Sequence, residues 1–315
     1  MTAKRVLYIN PIPPGSNPAI DSIARGMYDA FRGASMDLTM VVDDVRSVSP
    51  AESLPNRVRA AAGARVDAII FYVVDPQAGA EAVREAREAG VAVFSIARPR
   101  YPVNASLSYP GFNQGVFMMD YLTSQLPAGS AVGIIGGPQA LTDSEEVAGL
   151  VYSVQRSHCR LVNDPFLPEY SNLTDNRAGA RAPAKLLLER FPDIAGLAPY
   201  NDETMLGTVS YLKEIGRCGQ LKMVSRNGTP DAVQAVWEGS TTATWDLDPP
   251  AVGRSIAELV IQHLQGTKSY DDYAAMSAAG RLITVANMAT WRPWEERVSS
   301  TTLIVGDFPE QRKAT

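Results

Sequence analysis

Short polar side chains that could bind a small hydrophilic molecule follow apolar strands at several points in this sequence. The clearest case lies in residues 197–207, where an apolar run ends in Asn201 and Asp202 and a helical pattern begins at once. At the carboxyl end of a strand, an amide such as Asn201 can face a ligand while Asp202 caps the helix. This arrangement predicts a small-molecule binding site.

Other candidate ligand contacts stand at similar positions, after a strand or at the start of a helix. They offer amide, carboxylate, guanidinium and phenol groups: Asn17, Asp75, Arg98, Tyr109, Glu146, Arg226, Asn227 and Asp246. The carboxyl ends of parallel strands gather at one edge of a sheet, so we expect the candidates of each sheet to lie together. An arginine fork can hold a hydroxyl pair or a carboxylate, and an aromatic face can stack on a sugar ring.

Each of these candidates also has a purely structural interpretation. Asn17 could cap a helix, and Glu146 could be a first-turn acid that the helix dipole favours. Tyr109 could be a core or hinge aromatic. Turn chemistry is the alternative for three more residues: Asp75, Asn227 and Asp246.

The elements that must position these residues alternate along the whole chain. Short apolar or β-branched runs alternate with amphipathic helical runs, which is the pattern of parallel βαβ units. Strands are expected near residues 6–9, 38–42, 68–74, 91–96, 132–135, 160–163, 194–198, 222–225, 242–245 and 282–285. The sequence therefore predicts an α/β protein with two similar, doubly wound parallel sheets.

Two polar, proline-marked breaks suggest how the chain divides between these sheets. The first follows Arg98, and the second includes Asp248 and Pro249. Such stretches are typical of passages between domains. We expect one lobe from residues 1–106 plus 249–281 and the other from 107–248 plus 282–315, with three crossings that form a hinge. The tail after residue 295, with its apolar run at 303–305, could be an edge strand or a mobile end.

Composition and motifs exclude several classes of function. The net charge is −5 and no basic stretch occurs, which argues against nucleic acid and anionic membranes as partners. No window approaches the roughly 18 apolar residues of a membrane helix. No serine-hydrolase elbow, phosphate loop or paired-histidine motif is present, so we expect no catalytic residues, metal or cofactor. Cys159 and Cys218 permit a disulfide without requiring one.

Taken together, the strand-end motifs resemble those of the type I periplasmic solute-binding proteins of ABC importers, in the ribose-binding-like, simple-sugar branch. The resemblance covers roughly residues 4–290. The motifs that carry it are residues 16–18, 74–76, 98, 200–207, 227–231 and 248–253. It implies two α/β lobes joined by three crossovers that enclose one solute, a membrane permease as partner, a periplasmic or cell-surface location, and a monomer. It also implies that Asn17, Arg98, Asn201 and Asn227 face the ligand.

Several positions depart from the pattern of that branch. Ala19 and Ile20 replace the usual aromatic pair, Ala97 replaces an aspartate, Glu146 stands in place of a binding arginine, and Leu247 replaces a glutamine. A buried charge without a partner costs several kcal/mol, so the charged groups must pair with each other or with the ligand. The resemblance therefore points to a sugar, a polyol or an amine-bearing relative of one.

Three classes of function are compatible with the sequence, and a solute-binding receptor is the leading hypothesis. The effector-binding core of a transcriptional regulator shares the fold, but it would need a DNA-reading helix-turn-helix before the first strand. An enzyme that uses the carboxylates of the site is the third class, because a fold does not fix a function.

Overall fold

The computed structural model describes residues 3–45, 47–138, 140–277, 280–299, 303 and 305–306. Its strands are β1 (Arg5–Asn10), β2 (Asp37–Val42), β3 (Ala68–Tyr72), β4 (Ala92–Ile96), β5 (Ala105–Ser108), β6 (Ala131–Ile135), β7 (Arg160–Leu161), β8 (Ile194–Pro199), β9 (Lys222–Asn227), β10 (Ala243–Asp246), β11 (Tyr273–Met276) and β12 (Arg281–Thr284). Its α-helices are α1 (Pro18–Gly33), α2 (Pro50–Gly63), α3 (Ala80–Glu88), α4 (Gly111–Ser124), α5 (Leu141–Arg156), α6 (Arg181–Arg190), α7 (Asp202–Glu214), α8 (Pro230–Trp237) and α9 (Pro249–Leu264).

These elements form two compact units, each with its own sheet. The first unit takes Met1–Tyr109, Pro249–Ala278 and Glu295–Thr315, and the second takes Pro110–Asp248 and Ala279–Trp294. The described strands make two six-stranded sheets, ordered β11-β5-β4-β3-β1-β2 and β12-β10-β9-β8-β6-β7. This architecture confirms the predicted α/β class with two parallel-sheet domains.

The sheet of the first unit is parallel throughout its described pairs and is buried on both faces. Tyr8 and Ile70 belong to the core under α1 and α9, whereas their neighbours Leu7 and Ile69 point to the opposite face and are also buried. Burial on both faces explains why these strands read as continuous apolar runs. Strand order reverses direction around β1 and β3, as in a doubly wound sheet.

Helices α1 and α9 approach so closely that glycine is required at their crossing. A methyl group on Gly26 would overlap the carbonyl of Pro250, and one on Gly253 would overlap the carbonyl of Ile23. Helix α9 therefore packs in the core of the first unit, with its backbone in contact with that of α1.

The sheet of the second unit also has a core on each face, but its edge differs. Val132 and Ile134 pack in the core under α4 and α5, and Leu197 packs in the core of α6 and α7. Strand β12 pairs with β10 in the antiparallel sense, while the other described pairs are parallel. The sheet is thus parallel with one antiparallel edge strand.

Two strands were missing from the sequence interpretation. Strand β5 lies inside the polar, proline-marked stretch after Arg98, and β11 pairs with it at the edge of the first sheet. Both are four residues long; β5 alternates serine with alanine or leucine, and β11 is apolar but mostly exposed. Short edge strands of this kind carry little periodicity from which they could be predicted.

The tail belongs with the first unit, which corrects the expected division. The expected division assigns residues 282–315 to the second lobe, but the chain returns to the first unit at Glu295, so it changes unit four times rather than three. Ser299 bonds to Asp29, and Val305 forms a parallel bridge with Met40 on the edge strand β2. Of the run at 303–305, residue 304 lies outside the described residues.

The cysteines and the length of the apolar helices also bear on expectations from the sequence. Cys159 and Cys218 are free thiols, each partly buried. Within the described residues, no helix is both long enough and apolar enough to cross a membrane.

Candidate functional site

In the first unit, Asn17 lies after β1 and caps α1. Its Oδ1 accepts a hydrogen bond of 3.0 Å from the backbone N–H of Ala19, and Pro18 occupies the first helical position. The residue is 5% exposed. The capping interpretation is therefore correct for its side-chain oxygen, and ligand contact by its amide stays a prediction.

Arg98 lies at the carboxyl end of β4, as expected, and it is exposed. One guanidinium nitrogen is 3.2 Å from Oδ2 of Asp272, and both side chains are about half exposed, at 47% and 46%. A surface ion pair of this kind contributes about 0–1 kcal/mol, so little energy opposes rearrangement of Arg98 toward a ligand.

Asp75 and Tyr109 have structural roles in the first unit. Oδ1 of Asp75 accepts a 2.8 Å hydrogen bond from the N–H of Gln77, which is the expected turn chemistry. Asp75 also lines a recess with Asp43 and Tyr72, but its space of about 10 Å³ holds roughly one water molecule. Tyr109 packs in the apolar core of this unit. Ligand contact by either residue stays a prediction.

The second unit contains a buried charge cluster around Arg226 on β9. Its Nε lies 2.8 Å from Oε2 of Glu146, and another guanidinium nitrogen lies 2.8 Å from Oδ1 of Asp143. A third nitrogen donates to the carbonyl of Thr142 at 3.4 Å. The Arg226 and Glu146 side chains are 5% and 0% exposed, whereas that of Asp143 is 18% exposed. Two charged candidates of this unit, Glu146 and Arg226, therefore pair with each other.

Burial dominates the electrostatics of this cluster. Desolvation, with a smaller contribution from the charges of Asp143 and Asp202, raises the pKa of Glu146 to about 8 despite the attraction of Arg226. Desolvation likewise raises the pKa of Asp143 to about 6. Two carboxyl groups share one guanidinium, so the cluster is electrically balanced when one of them holds a proton. Burial raises the pKa of Glu146 more than that of Asp143, so Glu146 is the carboxyl group that favours this proton.

The position of Glu146 differs from the expectation. Because α5 begins at Leu141, Glu146 lies in its second turn, and the acid of the first turn is Asp143. The helix dipole fades within the first turn, so it does not account for Glu146.

The helix cap that we expect of Asp202 is supplied by Asn201 instead, and ligand contact by Asn201 stays a prediction. Asn201 is the N-cap of α7, since its Oδ1 accepts the N–H of Thr204 at 2.9 Å, and its Nδ2 donates to Asp175 at 2.6 Å. Asp202 is fully buried and accepts hydrogen bonds from the side chains of Ser225 and Thr244. Asp202 therefore anchors the strand ends from within, while Asn201 holds the loop that carries Asp175.

Asn227 ends β9 in a backbone conformation that asparagine rarely adopts. Its φ is +131°, the following Gly228 has φ +75°, and Asn227 is 5% exposed. A side chain on Gly228 would contact Asp246. This constrained turn holds Asn227 at the strand end, where its ligand contact stays a prediction.

Asp246 is occupied by structural contacts at the end of β10. Its carboxylate accepts the indole N–H groups of Trp291 and Trp294, at 2.9 and 3.2 Å, and the N–H of Asp248 at 2.9 Å. The turn interpretation is supported by the last of these bonds. Ligand contact by Asp246 stays a prediction.

Sequence reasoning missed two carboxylates beside the candidate residues. Asp143 could have been found, because it precedes Glu146 by three residues and so shares its helix face. Asp175 lies in an irregular polar loop without a periodic signal, and only its bonds to Asn201 and to the hydroxyl of Tyr200 reveal it.

The site offers binding chemistry through amides, carboxylates and a guanidinium. In the part of the chain that the structure describes, no three His, Cys, Asp or Glu residues are grouped so as to hold a metal ion. Buried, fixed hydrogen-bonding groups of this kind orient a small polar ligand.

Comparisons with known proteins match this architecture. A D-ribose/D-allose-binding protein of Pseudomonas aeruginosa is 27% identical over 190 residues, which is 58% of each chain and so less than two thirds of that relative. The ribose import binding protein RbsB of Bacillus subtilis is 21% identical over 258 residues, 80% of each chain. The Caulobacter myo-inositol binding protein, solved with myo-inositol, has a TM-score of 0.78 at 18% identity, with 91% of this chain and 94% of that chain covered.

The family assignment rests on a match to a family model rather than on these individual relatives. A family model described as periplasmic binding protein domain matches residues 12–268, well over half of the sequence. That span includes strands of both sheets and the charge cluster of the second unit. The chain therefore belongs to the periplasmic binding protein domain family.

Proposed function

We propose that this protein is the substrate-binding receptor of an ABC importer and that its ligand is a small hydrophilic solute, such as a sugar, a polyol or an amino-sugar-like compound. Family membership is the observation that carries the proposal. Relatives named for ribose import or for D-ribose and D-allose binding support the transport role and the ligand class. The implied partner is a membrane permease, and the implied location is the periplasm or the cell surface.

The chemistry of the strand ends supports a polar ligand. Asn201, Arg226 and Asn227 are all buried polar side chains at the carboxyl edge of the second sheet, and Asn17 and Arg98 lie at that edge of the first. Amides and guanidinium groups supply the directional donors and acceptors that hydroxyl-rich ligands require. We propose these five residues as ligand contacts, in a protein that binds without catalysis and acts as a monomer.

A thermal-shift screen tests the proposal. The purified protein is heated with sugars, polyols and amino sugars, and a true ligand should raise Tm because it binds only the folded state. At 100 times its dissociation constant, a ligand adds about 2.7 kcal/mol to the free energy of unfolding. Calorimetry then gives the affinity and stoichiometry of each hit.

Asn201→Ala tests a proposed ligand contact, and Asn176→Ala is its control. Asn176 also lies in the second unit but is not among the proposed contacts. We expect the first variant to lose most of the affinity and the second to keep it. No Tm shift with any compound would contradict the receptor proposal, and conversion of a hit to product would indicate an enzyme.

A further inference from the structure

The buried charge cluster of the second unit contains more acid than base. Asp143 and Glu146 both lie against Arg226, and within the described residues neither carboxyl group has another basic partner. If both were ionised, one negative charge would lie in excess. Unbalanced charge in a buried position is costly, so a proton or a cation must neutralise it.

Hydrogen bonding beside the cluster is also incomplete. Oε1 of Glu146 is buried without a hydrogen-bond partner among the described residues, and so are both polar atoms of the Gln114 side chain, which is 1% exposed. Gln114 lies between Gly111 and Gly115 on α4. A methyl group on Gly115 would overlap the carbonyl of Glu146, so the two helices touch at this point. Buried polar atoms without partners are rare in folded proteins.

The members of the cluster differ in their access to a ligand. Glu146 is fully buried behind Arg226, whereas the Asp143 side chain retains 18% of its exposure. A ligand can therefore reach Asp143 directly and can influence Glu146 only through the charges between them. The other titratable or charged groups around the cluster are Glu145, Asp175, Tyr200 and Asp202.

We infer that this cluster selects a ligand that carries an ammonium group, with Asp143 as the contacting carboxylate and Glu146 as a positioning residue that acts through Arg226. The inference rests on the proposed function and narrows its ligand class to amino sugars and amino polyols. Without ligand, a proton on Glu146 balances the cluster. When the ammonium group binds, it supplies that positive charge, and the proton passes from Glu146 to the buffer.

Calorimetry with matched pairs of probes tests the inference. The pairs are D-glucosamine with D-glucose, D-galactosamine with D-galactose, and scyllo-inosamine with scyllo-inositol, so that each exchanges one ammonium group for a hydroxyl. We expect an amino member to bind about tenfold or more tightly than its partner, as a charge-assisted hydrogen bond allows. Titration at pH 7 in phosphate and in MOPS, whose ionisation enthalpies differ, should show proton release on binding.

Two variants and one control identify the residues responsible. Asp143→Asn and Glu146→Gln each remove the excess carboxyl, so both should bind the amino and hydroxyl members of a pair with similar affinity and release no proton on binding. Asp193→Asn makes the same chemical change at an exposed position before β8 and should behave as the wild type. If Asp143→Asn fails to fold, Glu146→Gln and the two-buffer comparison of the wild type still test the inference.

The outcomes separate this inference from the receptor proposal. If hydroxyl members bind and no amino member binds more tightly, the ammonium inference is wrong and the receptor proposal stands. If an amino member binds tightly without proton release, the role of Glu146 is wrong. If no probe of either kind binds, neither the inference nor the proposed ligand class holds.

Discussion

Arg226 shows, at the scale of single residues, how pairing decides what a buried charge can do. Its guanidinium is shared between Glu146 on α5 and Asp143 one turn earlier, each 2.8 Å away. Replacing both acids with apolar groups would leave Arg226 uncompensated, and replacing Arg226 would leave two acids without a cation. Such clusters are sensitive to the loss of one partner.

The pH dependence of stability should reveal the proton on Glu146. Its pKa is raised from 4.5 to about 8 in the folded state, so between these values the folded protein binds more protons than the unfolded one. The free energy of unfolding must then fall as pH rises through this window. Glu146→Gln removes the titrating group, so its Tm should decline less between about pH 5 and pH 8 than that of the wild type.

Calorimetric Tm values at intervals of one pH unit measure this difference. Asp143 and Asp202, whose pKa values are raised to about 6, keep part of the slope in the variant. Glu189→Gln, on the exposed face of α6, is the matched control and should leave the slope unchanged. Equal slopes for Glu146→Gln and the wild type would show that Glu146 is ionised throughout.

At the scale of elements, one carboxylate joins four of them in the second unit. Asp202 begins α7 and accepts hydrogen bonds from Ser225 on β9, from Thr244 on β10, and from the N–H of Thr229, the N-cap of α8. Asp202 is fully buried. A single side chain therefore ties β9, whose end carries Arg226 and Asn227, to β10 and to the starts of α7 and α8.

Asp202→Ala should destabilise the protein by about 3 kcal/mol, because it leaves three buried donors without their acceptor. Urea unfolding measures the loss. Asp231→Asn, at the exposed start of α8, changes a surface ion pair only and should cost less than about 1 kcal/mol. A loss below 1 kcal/mol for Asp202→Ala would mean that the donors find other partners.

The contact between α1 and α9 allows a second test at the same scale. Gly26→Ala places a methyl group against the carbonyl of Pro250, and overpacking of this kind costs about 1–3 kcal/mol. Gly33→Ala changes the same helix where nothing lies within 4 Å, so its stability should stay close to that of the wild type. Similar urea midpoints for the two variants would contradict the close approach.

At the scale of the whole molecule, the sequence predicts the class of fold better than it predicts which side chains of the site contact each other. Alternating apolar and amphipathic runs predict β1 to β4 and α1. Burial on both faces of a parallel sheet gives its strands a continuous apolar sequence that is easy to detect. The four-residue strands β5 and β11 escape that pattern.

Candidate site residues were found from their place after a strand, but their partners were not. Glu146 and Arg226 are 80 positions apart, and no local pattern indicates that their side chains meet. That Asn201 rather than Asp202 caps α7 has a similar cause. Both residues can cap a helix, and the hydroxyls of Ser225 and Thr244 that claim Asp202 come from strands later in the chain.

The order in which the chain visits the two units constrains its birth on the ribosome. Helix α9, which closes the core over α1, and β12, which completes the second sheet, are both translated after residue 248. Neither unit can finish its core while synthesis is confined to the first four fifths of the polypeptide. A nascent chain halted at Asp248 would leave apolar core surface exposed in both units. Chaperones could bind both surfaces at the same time.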